Sequence, residues 1–132
     1  MSVAHIIASS DDSLKLDTQY FVEELQKRWP EARVHYITDP RANSLLQFRV
    51  DPSDEDYGIL GDFAASGVSF QTHSMSGITA FVQWFRAIVP STYELILYDT
   101  PLSHEPIKLT QDITEADLIA GFKIPFDMSK YE

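Results

Sequence analysis

Between Ser74 and Pro90, Ile78, Phe81, Val82, Phe85, Ile88 and Val89 recur at helical spacing, which predicts a helix with one wide apolar face. Ser74 or Ser76 can cap its start, and Pro90 ends it. A stripe that broad needs a second layer to cover it. The flanking segments offer strands for that layer.

The clearest strand pattern is the alternation of Leu46, Phe48 and Val50 with Gln47 and Arg49. Before it, Val34, Tyr36 and Thr38 alternate with Arg33, His35 and Ile37, and the turn residues Asp39-Pro40-Arg41-Ala42-Asn43 lie between the two runs. A hairpin is expected. After Asp51-Pro52-Ser53-Asp54-Glu55-Asp56, Tyr57 to Phe63 and Val68 to Thr72 read as extended, parted by a bulge or tight turn at Ala64-Ala65-Ser66-Gly67. Val3 to Ala8, Tyr93 to Tyr98 and Ile107 to Leu109 complete the strand candidates. Gly58 and Gly61 suit a bulge or a close backbone approach.

A first helix is expected from Asp17 or Thr18 through Arg28, burying Phe21, Val22, Leu25 and Trp29 and stopped by Pro30. A short third helix opens at Thr114-Glu115-Ala116-Asp117, a capping box with Asp in the acidic position, and runs through Phe122. The element order lacks regular βαβ alternation. It therefore favours an α+β two-layer sandwich: a mostly antiparallel sheet with two main helices on one face and a short C-terminal helix. Residues 1–122 read as a single domain and 123–132 as a loosely held tail. The second face of such a sheet is left to solvent, a partner or a second copy of the chain.

The chain carries 20 acidic against 10 basic residues, a net charge of −10. Such a field repels phosphate backbones and anionic headgroups, so neither nucleic acid nor membrane is an expected partner. Residues 50–132 hold 13 of the acids and only 4 of the bases. Solubility accounts for this imbalance, and so does complementarity to a basic protein. Cysteine is absent, which removes disulfides, thiolate metal sites and a cysteine nucleophile. With no basic leader around Met1-Ser2-Val3, a bacterial cytoplasmic protein is the expectation.

Candidate chemistry is sparse. His5, His35, His73 and His104 have no metal-ligand spacing. His35 is expected on a strand surface, His73 at a strand-to-helix corner and His104 in an exposed loop, where it could serve as a general base beside Glu105. Asp51, Ser53 and Glu55 have the spacing of a calcium loop, but Asp56 stands where glycine is needed and Asp62 replaces the bidentate glutamate. No metal or cofactor is expected. Neither a nucleophile elbow, a phosphate loop nor a dinucleotide fingerprint occurs. Trp84 reads as core edge or interface anchor, and Tyr57, Tyr93 and Tyr98 as sheet packing.

Small, acidic, free of cysteine and α+β, the chain resembles bacterial immunity proteins in class, without a motif that assigns residues. The resemblance implies a binding or inhibitory module with a basic protein partner. The acidic run Asp51, Asp54, Glu55, Asp56 and Asp62 is then the expected partner surface. A homodimer through the open sheet face and a small enzyme built from His73, His104, Asp99 and Glu105 are the alternatives.

Overall fold

The computed structural model describes residues 4–51, 58–127 and 129. Chain order runs β1 (His5–Ser9), α1 (Thr18–Arg28), β2 (Arg33–Tyr36), β3 (Leu46–Val50), β4 (Ile59–Ala64), β5 (Gly67–Thr72), α2 (Met75–Ile88), β6 (Leu95–Asp99), β7 (Ile107–Leu109) and α3 (Glu115–Phe122). The strands form one sheet of order β2-β3-β4-β5-β1-β6-β7, antiparallel throughout. This is an α+β fold.

Four consecutive strands, β2 to β5, form a meander, and β1 and β6 extend it beyond β5. The β2–β3 hairpin has the expected pairing, with Val34 opposite Phe48. Between β4 and β5 the chain makes a tight turn rather than a bulge, since Ala64 pairs with Gly67 across Ala65-Ser66. Gly61 also keeps regular register, between Phe48 and Phe70. Its lack of a side chain serves packing: a Cβ there would collide with the Phe48 ring.

One face of the sheet is the core face. Ile7, Phe48, Phe63, Phe70 and Leu97 point there and are buried to within 2 %. α1 meets this face through Phe21, stacked 4.2 Å from Phe63. α2 meets it through Phe81, whose ring lies 4.3 Å from Phe70 and 5.7 Å from Phe48. Trp84 belongs to the core edge: it contacts Phe21, Trp29, Phe81 and Phe85.

Local chemistry sets the helix ends. Asp17 accepts from the Tyr20 N–H, Ser74 from the Gly77 N–H, and Thr114 and Asp117 complete a capping box. Gly77 lets the first turn of α2 lie against β5, where any Cβ would strike Thr72 Oγ1. The Tyr20 hydroxyl donates to the Ile88 carbonyl at 2.6 Å and joins α1 to the end of α2.

Arg86 is 2 % exposed, and its guanidinium donates to the carbonyls of Tyr93, Val89 and Pro90 at 2.9, 3.2 and 2.9 Å. It thereby binds carbonyls at and just beyond the end of α2, of which Pro90 also accepts from the Tyr93 N–H at 3.1 Å, and its charge complements the negative end of the helix dipole. Burial pulls this guanidinium below its usual value. Leu14 and Leu16, in the connection from β1 to α1, are likewise core residues, at 1 % and 7 % exposure. Bonds from the Leu14 N–H to Ser9 Oγ and from the Leu16 N–H to the Ala65 carbonyl hold them in.

Phe85 is fully buried on α2, so Phe85→Ala is expected to cost about 3 to 5 kcal/mol of unfolding free energy. Urea denaturation measures it. A loss below about 0.5 kcal/mol, the range of surface changes, would remove Phe85 from the core.

Candidate functional site

The face of the sheet opposite the helices carries the residues that alternate with the core set. Two cross-strand rows define it. Arg33 lies opposite Arg49, Arg49 opposite Leu60 and Leu60 opposite Gln71. In the next row His35, Gln47, Asp62, Ser69, Ile6 and Tyr98 run across six strands. The period of two along each strand gives all of them the same face.

Among the described residues this surface forms two hollows. A hollow of about 530 Å³ lies over β2 to β5, with Arg33, Arg49, His35, Leu60 and Gln71 in its walls. A smaller one of about 270 Å³ lies toward β1 and β6, with Ile6, Ala8 and Tyr98. Asp62 and Ser69 line both, so this cross-strand pair forms the ridge between them. The larger volume falls within the range of small-molecule pockets. Leu60 is 54 % exposed, an apolar side chain with no cover.

Charge on this face is unlike that of the chain as a whole. Arg49 Nε donates to Asp51 at 2.5 Å, and Arg33 reaches the other carboxylate oxygen at 3.7 Å. One acid thus serves two guanidiniums. Both ion pairs are open to solvent and contribute little to stability. Asp62 stands opposite Gln47, four positions along the strand pair from the Asp51 end, or about 13 Å at strand rise. The acidic surface expected from sequence is therefore divided: Asp51 is bound to arginines, Asp62 lies between the hollows, and Asp54, Glu55 and Asp56 lie outside the described residues.

A second polar group sits at the far end of β6. The Asp99 carboxylate accepts from the Ser103 N–H at 2.8 Å and from the Ser103 hydroxyl. His104 is not an exposed loop residue as expected; it is 2 % exposed, beneath Phe122 of α3 at 4.9 Å between ring centroids. The loop turns inward because the Asp99 carbonyl and carboxylate hold the Leu102 and Ser103 N–H groups, with Leu102 at φ 53°. His104 Nδ1 lies 2.8 Å from the Glu105 carbonyl and so carries the proton toward it, while Nε2 faces Asp99 at 3.8 Å without a hydrogen bond.

His5, from the neighbouring strand, completes this group. It stands opposite Asp99 in register and packs between Phe70 and Phe122. Burial holds the His5 imidazole below its ordinary value, against the pull of Asp99 and with a further push from His104. Burial raises the Asp99 carboxyl, yet the Ser103 hydrogen bonds and the two histidines outweigh it and leave the group below the usual carboxylate range.

Ser103 gives its hydroxyl to the carboxylate and not to an imidazole, so this group is not a serine–histidine pair. Of the residues considered together for catalysis, His104 and Asp99 do meet. Glu105 turns instead to the Asp127 N–H at 2.8 Å, and His73 is exposed between β5 and α2. His5 had no sequence signal beyond its place in an apolar strand. Among the described residues no group of three potential ligands could hold a metal ion.

The buried imidazole predicts a pH dependence. His5 binds its proton less readily folded than unfolded, so stability is fully present above about 6.5 and falls as pH drops through the folded value. Asp99, depressed, supports the fold until pH falls below its ordinary 3.8. Melting temperatures of wild type and His5→Gln between pH 7 and about 5 test this. The variant is expected to show the flatter profile, and parallel profiles would exclude His5 as the source.

A scan against protein-family models finds no match to this chain, and searches of curated proteins and of solved structures find none either.

Proposed function

We propose that the chain is a protein-binding, inhibitory module that seats its partner on the open face of the sheet. The observation that carries this reading is the uncovered concave face itself, with exposed Leu60 between polar walls and Asp62 on the ridge where the two hollows meet. A surface with an apolar centre and a hydrogen-bonding rim suits a protein partner. The net charge of −10 favours a basic one, because opposite fields accelerate encounter. Asp54, Glu55 and Asp56, in the segment joining β3 to β4, add to that attraction by charge alone.

Affinity capture from the native cell, with wild type, Leu60→Asp and the double variant Asp54→Lys with Asp56→Lys, tests the reading. Wild type is expected to capture a basic protein. Leu60→Asp should speed dissociation tenfold or more, equivalent to about 1.4 kcal/mol. The double variant should slow association at low salt, with the difference shrinking as salt rises. Equal capture by wild type and Leu60→Asp would place the interface elsewhere. Sedimentation showing a dimer that Leu60→Asp dissociates would assign the face to a second copy of the chain.

A further inference from the structure

Arg33 and Arg49 stand directly opposite each other on adjacent antiparallel strands, on the same face. Like charges in that position oppose strand pairing. Among the described residues a single carboxylate, Asp51, answers both, and it engages Arg49 through Nε–H while Arg33 stays at 3.7 Å. Each guanidinium has five N–H donors, so most of this donor set is left directed to the hollow and to solvent. Their side chains are 74 % and 59 % exposed, accessible to a ligand.

The surroundings narrow the ligand. His35 and Gln71 add polar side chains near the arginines, and Leu60, between Arg49 and Gln71 in the row, presents an apolar patch. In the adjacent row Asp62, two residues from Leu60 along β4 and opposite Gln47, places a negative charge on the ridge that bounds the hollow. An anion with charge at one end only fits this order: its oxygens meet the arginines, its apolar body lies over Leu60, and Asp62 turns away a second negative group. The volume of about 530 Å³ accommodates a single aromatic ring with its substituent.

We infer that the larger hollow is a binding site for a small organic monocarboxylate, held by Arg33 and Arg49 with its apolar part over Leu60. The planar guanidinium fork matches a carboxylate with two parallel hydrogen bonds. This goes beyond the protein-binding reading, and the isolated chain suffices to test it, so its failure would leave that reading in place.

Benzoate is the probe, followed by amide chemical shifts in solution, with benzamide, terephthalate and inorganic phosphate as comparisons. Benzoate is expected to shift the amides of Arg49, Leu60 and Gln71 in a saturable way, with benzamide and terephthalate each at least tenfold weaker. Arg33→Gln and Arg49→Gln should each weaken benzoate tenfold or more. Arg41→Gln, which removes the same charge from the exposed loop before β3, should leave it unchanged; Arg41 pairs there with Asp39 at 3.2 Å. Benzamide binding as tightly as benzoate, or equal losses in all three variants, would overturn the site. Phosphate matching benzoate would overturn the role given to Leu60, and terephthalate matching it would overturn the role given to Asp62. Backbone spectra of the variants that superpose on wild type away from the hollow separate lost binding from lost folding.

Discussion

Phe81 is where the parts of this molecule meet. Its ring touches Phe70 of β5, Phe48 of β3, Trp29 at the end of α1 and Phe85 one turn along α2. The meander, the first helix and the second helix are all registered on this one side chain. The contact is apolar and fully desolvated, so its strength comes from area removed from water and from close packing of ring on ring. Displacing α2 by one residue would put Ala80 or Val82 in place of the Phe81 ring and leave a gap against the sheet.

The covering of one face has a direct consequence for the other. The helices lie over the Phe48, Phe63 and Phe70 side, and the alternation of each strand then presents Arg33, His35, Arg49, Leu60, Asp62 and Tyr98 on the opposite surface. That surface gathers concavity, exposed apolar area and cationic donors together. Its arginines are notable against an acidic chain: the average field attracts cations, while the local donors in the larger hollow select an anion. The two scales operate at different distances, one over a Debye length and the other at hydrogen-bond contact.

Two charged groups that the fold buries, Arg86 and Asp99, are each held by several donors or acceptors. Arg86 is solvated by carbonyls at and beyond a helix end, and Asp99 by the Ser103 donors, with the imidazoles of His5 and His104 nearby. Both sit where two elements must be joined, α2 to β6 in one case and β6 to the loop before β7 in the other. Each exchanges hydration for several fixed partners, which makes removal of one partner costly and ties the geometry of the joint to its protonation state.

Most elements were legible in the residues. The stripe from Ile78 to Val89, the alternation at Leu46 to Val50, the caps at Asp17, Ser74 and Thr114, and the prolines at 30 and 90 are local signals, and local backbone chemistry decides them. Antiparallel α+β character followed from element order for the same reason. The burial of His104 and the meeting of His5 with Asp99 were not legible, because the loop that Asp99 holds turns His104 beneath Phe122 of α3, and His5 reaches Asp99 only through the pairing of β1 with β6. Leu16 is held by the distant Ala65, whereas Leu14 and Arg86 are held by backbone and hydroxyl partners nearby in the chain. The candidate site divides along this line. Sequence alone determined that Arg33 and Arg49 alternate with core residues and that the chain is acidic; only the tertiary structure set the two arginines opposite each other beside Leu60, because register is a property of two strands and neither strand carries it alone.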